Sequence, residues 1–184
     1  MLFRRFSMFA MIALATTGIA IAGEKLTLDT EKSKIEFVGS KSDGKHDGGF
    51  KKFTADAVAD LEVPANGTLK IEIDTTSLWA DDEKLANHLK NPDFFDVRKY
   101  PTITFKATKV SVSENDDGKA TIVGKLMMLG KEVEISVPVV SELTKSTISV
   151  NADFKIDRTK WAMDYGQGKI NNDVDIKAVL IFNR

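Results

Sequence analysis

The sequence predicts an all-β protein, an eight-stranded antiparallel up-and-down barrel with one short helix in the connection between the third and fourth strands. Three observations carry this. Eight segments alternate apolar and polar residues with the period of two that belongs to a half-buried strand, and the segments between them carry turn chemistry or, once, helical spacing. Eight such strands with so little helix have only each other to bury their apolar faces against. A sandwich or a closed barrel answers that need, and a barrel also removes the unpaired edges.

The elements follow in order. Ile35, Phe37 and Gly39 alternate with Lys34, Glu36 and Val38, and then Phe53, Ala55, Ala57, Ala59 and Leu61 with Thr54, Asp56 and Asp60. In the third strand Leu69, Ile71 and Ile73 alternate with Lys70, Glu72 and Asp74. The helix comes next, because Leu85 and Leu89 are spaced to share a helix face and Asn91-Pro92 stops it, the residue before proline avoiding the α region. Phe94 and Phe95 then fall in an irregular segment, where two large rings need apolar surface to cover, and the open end of a neighbouring core is the nearest candidate. Pro101 opens the fourth strand, where its missing N–H does little harm, ahead of Ile103, Phe105 and Ala107. The fifth and sixth strands carry Ala120, Ile122, Gly124, Leu126 and Met128, and Val133, Ile135, Val137 and Val139. The seventh is the cleanest, with Ile148, Val150, Ala152, Phe154 and Ile156 against Ser149, Asn151, Asp153 and Lys155. Val174, Ile176, Ala178, Leu180 and Phe182 make the eighth.

An eight-stranded barrel is wide enough either to be filled by side chains or to hold one small ligand. The inward positions include Gly39, Ala55, Ala57, Ala59, Ala107, Ala120, Gly124, Ala152 and Ala178, small residues that fit a hollow better than a solid core. The alternative is that they only ease a taper or a bend. With strands running up and down, 64–67, 115–118 and 141–146 close one end with short turns. The other end receives Lys41 to Gly49, Thr75 to Tyr100, Leu129-Gly130-Lys131 and Asp157 to Asp173, and this is the expected mouth. His46, Trp79, Leu85, His88, Leu89, Phe94, Phe95, Arg158, Trp161, Met163 and Tyr165 gather there, a rim suited to a long apolar molecule with a polar head.

Arg4 and Arg5 precede an uncharged stretch, Phe6 to Ala22, that ends in the small-x-small pattern Ala20-Ile21-Ala22. This reads as an export signal cleaved after Ala22, which sends a single domain, 23–184, to the periplasm. The chain has no cysteine, so neither a disulfide nor a lipid-modified cysteine is available. A formal net charge of −1 with no basic block argues against nucleic acid as a partner. Catalytic groups are few: two histidines, and acids mostly on outward strand faces. His46 and His88 with a nearby Asp43, Asp47, Asp93 or Asp96 would match a metal-site stoichiometry, but no compact ligand motif holds them, and no metal or cofactor is expected. Gly166-Gln167-Gly168 has no helix after it and reads as a turn. Arg158 has two readings, an ion pair with Asp157, Asp164 or Asp175, or support for a ligand's polar head.

The stretch HLKNPDFFDVRKYPTITF (88–105), with Gly124-Lys125-Leu126, Leu129-Gly130, Ile156-Asp157-Arg158 and the opening Asp29 to Phe37, closely resembles the YceI-like family of exported bacterial proteins. The first loop, GSKSDGKHDGGFKKF (39–53), is longer and richer in lysine than the family's usual form. The resemblance implies a lipocalin-like barrel that holds an isoprenoid or other long-chain amphipathic lipid, without catalysis. The chain would then lie against Phe37, Phe53, Phe105, Leu126, Met128 and Phe154 beneath the Phe94-Phe95 lid, with Trp79, Leu85, Leu89, Trp161 and Met163 near the opening. His46, His88 and Arg158 are the candidates for contact with its head. The alternative is a ligand-free stress or interaction barrel that binds protein partners through its rim loops. A mouth ringed by Phe and Trp would suit transient membrane contact and homodimer formation equally.

Overall fold

The structure is a computed structural model and describes residues 23–113 and 118–184; the expected signal segment and most of the 115–118 turn lie outside the described residues. Its strands are β1 (Glu24–Leu28), β2 (Lys34–Lys41), β3 (Gly44–Phe50), β4 (Phe53–Ala59), β5 (Thr68–Asp74), β6 (Leu78–Ala80), β7 (Thr102–Val112), β8 (Lys119–Met128), β9 (Lys131–Leu143), β10 (Thr147–Asp157) and β11 (Asp173–Asn183). The helix α1 covers Glu83–Leu89, and short 3-10 turns occupy Pro64–Asn66, Thr75–Ser77 and Arg158–Trp161.

Eleven segments make eight staves. β1 and β2 both pair antiparallel with β11, Leu28 opposite Phe182 and Ile35 opposite Ala178, so they are one stave interrupted at 29–33. The second stave is β3 with β4, which lie against β2 and β1 respectively; β5 and β6 form the third, paired to β4 and β3. From there β7, β8, β9, β10 and β11 follow in sequence order, and the β1–β11 pairing closes the ring. This is the expected eight-stranded antiparallel barrel, with one short α-helix among the described residues.

Two local expectations change. Residues 41–49 are not an open loop, because Lys41 pairs with Gly44 and the chain turns at once into β3, which places Phe50 opposite Ile35. Gly48-Gly49 hides this from an alternation test, yet both glycines are needed: a Cβ at Gly48 would collide with the Phe37 ring, and one at Gly49 with the carbonyl of Ile35. Several of the small inward residues also serve packing, not space. A Cβ at Gly124 would collide with the Phe105 ring, and Ala57 is buried in the solid core.

The long excursion between β5 and β7 is tied end to end. Thr75, fully buried, donates its Oγ1–H to the Tyr100 carbonyl at 2.8 Å, and its N–H goes to Pro101 O at 2.9 Å. Asp82 caps α1 by accepting the Leu85 N–H at 2.8 Å. After Lys90 the chain folds back on itself, with Phe95 N–H donating to Leu89 O and Val97 N–H to Lys90 O, and this presents Phe94 and Phe95 side by side. Leu129 and Gly130 both have positive φ, 53° and 74°, the hairpin turn that matches strand twist.

Candidate functional site

A cavity of about 490 Å³ occupies the barrel, within the size range of small-molecule sites. Inward residues of β5, β7, β8, β9, β10 and β11 wall it, among them Ile71, Phe105, Leu126, Val137, Phe154 and Ile176. Many of these are only half-buried although they point inward, because they face the hollow and not another side chain. At one end Leu26, Ala57 and Phe182 are buried in the core without joining the cavity wall. The exposed lining residues Lys41, Asp47, Tyr165 and Asn171 all lie at the other end, which is the mouth.

Two clusters of rings meet there. Phe95 packs edge-on to Phe50 (centroids 5.6 Å apart) and against Phe37 (6.0 Å), and Phe37 meets Phe50 at 5.9 Å. His88 stands edge-on to both Phe94 (5.0 Å) and Tyr165 (5.1 Å), joining the α1 excursion to the β10–β11 connection. Edge-to-face geometry is favourable for rings. The Phe94-Phe95 pair therefore covers one side of the opening from two directions.

Phe37, Leu85, Leu89, Phe94, Phe95, Phe105, Leu126, Met128, Phe154 and Met163 line the cavity, as do His46, His88 and Arg158. Phe53, Trp79 and Trp161 do not, and their assignment to the cavity is corrected. Phe53 is buried opposite Ile73, where β4 and β5 pack solidly. Trp79 pairs with Gly49 and leans over it, on the face opposite Phe50 and Leu78. Trp161, 0% exposed, turns inward behind the wall and donates its indole N–H to Leu126 O at 3.0 Å. Lining residues missed from the sequence include Phe50, hidden by its glycines, and Ile170, in a connection without periodicity; Tyr165, expected at the rim, also lines the cavity.

The two histidines each pair with a different aspartate. His46 Nδ1 lies 3.0 Å from Asp81 Oδ1, and His88 Nε2 lies 3.1 Å from Asp93 Oδ2. The Asp47 N–H, and after it His46, hold the Asp81 carboxyl below the usual carboxylate range. Among the described residues no group of three or more His, Cys, Asp or Glu could hold a metal ion. No helix among them is long and apolar enough to cross a membrane.

Arg158 makes none of the three ion pairs expected of it. It is 2% exposed, and its acceptors are carbonyls: Nε–H donates to Asn171 O (3.1 Å), Nη1–H to Met163 O and Nη2–H to Ile170 O (3.3 Å). Burial lowers its pKa from the ordinary guanidinium value. Asp157 instead accepts from Thr159, and Asp175 pairs with Lys155 at 3.0 Å. Gly166 and Gly168, at positive φ, form the expected turn.

Comparison with known proteins places this geometry. The family model described as the YceI-like domain matches residues 26–182. A UPF0312 protein of Pseudomonas putida is 34% identical over 83 residues, 45% of this chain and 42% of that protein, and UPF0312 protein VPA0850 of Vibrio parahaemolyticus is 32% identical over 90 residues, 49% and 47%. The matched stretches span less than half the length of those relatives. Among solved structures, Burkholderia cenocepacia BcnA superposes with a TM-score of 0.78 at 26% identity, over 84% of this chain and 98% of that one. A polyisoprenoid binding domain from Saccharophagus degradans, 16% identical, shares the fold with a TM-score of 0.66 over 86% and 97%. A cavity-bearing barrel closed by β1 and β11 and a family model that spans almost all of it agree, and the chain belongs to the YceI-like family.

Proposed function

We propose that this protein is a periplasmic carrier that holds an isoprenoid or other long-chain amphipathic lipid in its barrel, tail inward and head at the mouth. The observation that carries the reading is the distribution of polarity around the cavity. Its deep walls are aliphatic and aromatic, and its polar lining groups, Ser40, Lys41, His46, Asp47, His88, Arg158, Tyr165 and Asn171, all belong to the mouth. An apolar pocket of this size with few, convergent polar groups is the ordinary form of a small-molecule site. The fold shared with a domain named for polyisoprenoid binding supports the choice of chain. The leader pattern at 1–22 supports export. Binding is the role these residues suit, since among the described residues no nucleophile is paired with a base at the cavity.

The test is native mass spectrometry of detergent-free protein from a bacterial host, followed by organic extraction. A bound mass of several hundred daltons with an isoprenoid or acyl signature is expected. An apo mass that added quinones and prenols leave unchanged would refute the carrier reading and favour a barrel acting through protein partners at its rim.

A further inference from the structure

The barrel wall is not joined alike all round. β7 with β8, β8 with β9 and β10 with β11 are paired along almost their whole lengths, as far as Met128 opposite Lys131 and Asp157 opposite Asp173 at the mouth. β9 and β10 pair from Leu143–Ile148 to Val139–Ala152 and no further. Beyond that point both run on as strands, 131–138 bound to β8 and 153–157 to β11, without pairing to each other.

Pro138 is the cause. Ser141 donates its N–H to Gly118 O on the β8 side, and successive residues of a strand turn their N–H groups to opposite neighbours, so Pro138 faces β10. The next pair in register, Pro138 with Asp153, would exchange two bonds, and a proline can accept one but not return it. The charged side chains nearby also pair away from the seam, Glu132 with Lys125 of β8 at 2.7 Å and Lys155 with Asp175 of β11 at 3.0 Å. On the inner face stand Ile135, Val137, Phe154 and Ile156, all lining the cavity, so apolar side chains part the hollow from the outer surface here. At the mouth the turn Arg158–Trp161 closes the seam, the Trp161 indole reaching across β9 to Leu126 O.

Resting on the carrier reading above, we propose that the lipid chain enters and leaves sideways, by the parting of β9 from β10 along this seam, and not end-on past Phe94 and Phe95. Parting a fully paired junction would break a ladder of backbone bonds and leave their groups without partners. Along this seam apolar contacts and the Trp161 bond give way, and the separated side chains are covered again by the passing lipid. Phe94 and Phe95, packed against Tyr165 and Phe50, stay in place.

The chain has no cysteine, so a pair can be introduced cleanly. Ser136→Cys with Lys155→Cys places thiols at exposed positions on either side of the seam, and a short flexible bis-maleimide joins them without disulfide geometry. Glu142→Cys with Ser149→Cys, joined in the same way where the same two strands already pair, is the control. Protein loaded with geranylgeraniol, or with palmitate, is chased with the deuterated compound, and exchange is followed by native mass spectrometry. Locking the seam is expected to slow exchange about 10-fold or more with Kd changed less than about 2-fold, since a blocked route slows entry and exit alike. The control should exchange as the wild type does. Should the seam pair not join, Pro138→Val supplies the missing donor and is expected to slow exchange in the same sense. Exchange as fast as wild type in the locked protein, or in Pro138→Val where the lock cannot be made, overturns the lateral route and leaves the carrier reading standing; equal slowing by the control cross-link overturns it too. If the unmodified protein holds neither geranylgeraniol nor palmitate, the carrier reading falls and the route with it.

Discussion

Ala152→Phe distinguishes a hollow barrel from a filled one. Ala152 on β10 stands opposite Ala178 on β11, both half-buried and both lining the cavity, between the larger pairs Val150–Leu180 and Phe154–Ile176. The two alanines form a notch in the wall. A phenyl ring placed there enters the cavity. In a solid core the same ring would force off-rotamer packing and cost about 1–3 kcal/mol, whereas here it gains burial without a clash, so stability should be unchanged or higher. The ring takes the space of roughly four methylenes of a bound chain, at ~0.8 kcal/mol each. Affinity should therefore fall by about 3 kcal/mol, on the order of 150-fold. The assay is urea denaturation of delipidated wild type and variant, with geranylgeraniol titration of both, a neutral probe that isolates the chain from the head. A stability loss above about 1 kcal/mol with unchanged affinity would refute the assignment of this notch to the lipid chain.

Trp161→Phe should destabilise the fold by about 2–3 kcal/mol, because it removes the indole N–H from a partly buried Leu126 carbonyl and leaves a void; a urea midpoint equal to wild type would contradict this. Asp82→Ala removes the cap of a seven-residue helix and should cost that segment about 1 kcal/mol, seen as roughly 5-fold faster amide exchange within α1, with β8 to β10 unaffected. At low pH, Asp157 and Asp74 lose their bonds to Thr159 and Thr76, which hold both carboxyls below the usual range. A depressed carboxylate pKa contributes stability that is complete above the unfolded value of about 3.9 and is lost as pH falls through the folded one. Carboxyl NMR titration should therefore show both groups titrating below their unfolded value, and Asp157→Asn should weaken the pH dependence of stability below about pH 4; a normal Asp157 titration would count against the cap.

The number of staves, their inward faces and the position of the mouth were all legible in the sequence, because a strand with one wet face must alternate, and each of the long strands β7 to β11 does so over many residues. The place of Phe94 and Phe95 against the cavity was legible for a related reason: two large rings beside a proline-stopped helix need apolar surface to cover. The staves built from β1 to β6 were harder to read. Their interruptions at 29–33, 51–52 and 75–77 and the glycines of β3 break the alternation, so Phe50 was lost and Phe53 assigned to a cavity it does not touch. Period two gives the side of the sheet but not the height in the barrel, and height decides whether an inward residue meets the hollow or the packed end.

By itself the sequence determined the fold class, because a hydrophobic pattern is a property of neighbours along the chain. Only the tertiary structure decided which small residues leave space. Ala152 and Ala178 face each other across a notch, while Gly124 is filled by a ring from the adjacent strand, and nothing in either residue's own neighbourhood distinguishes the two cases. The same holds for Arg158. Its aspartates are close in sequence, but the chain from 163 to 171 wraps the guanidinium in carbonyls first, and a buried cation at the mouth of an apolar cavity exists only because that connection folds back over it.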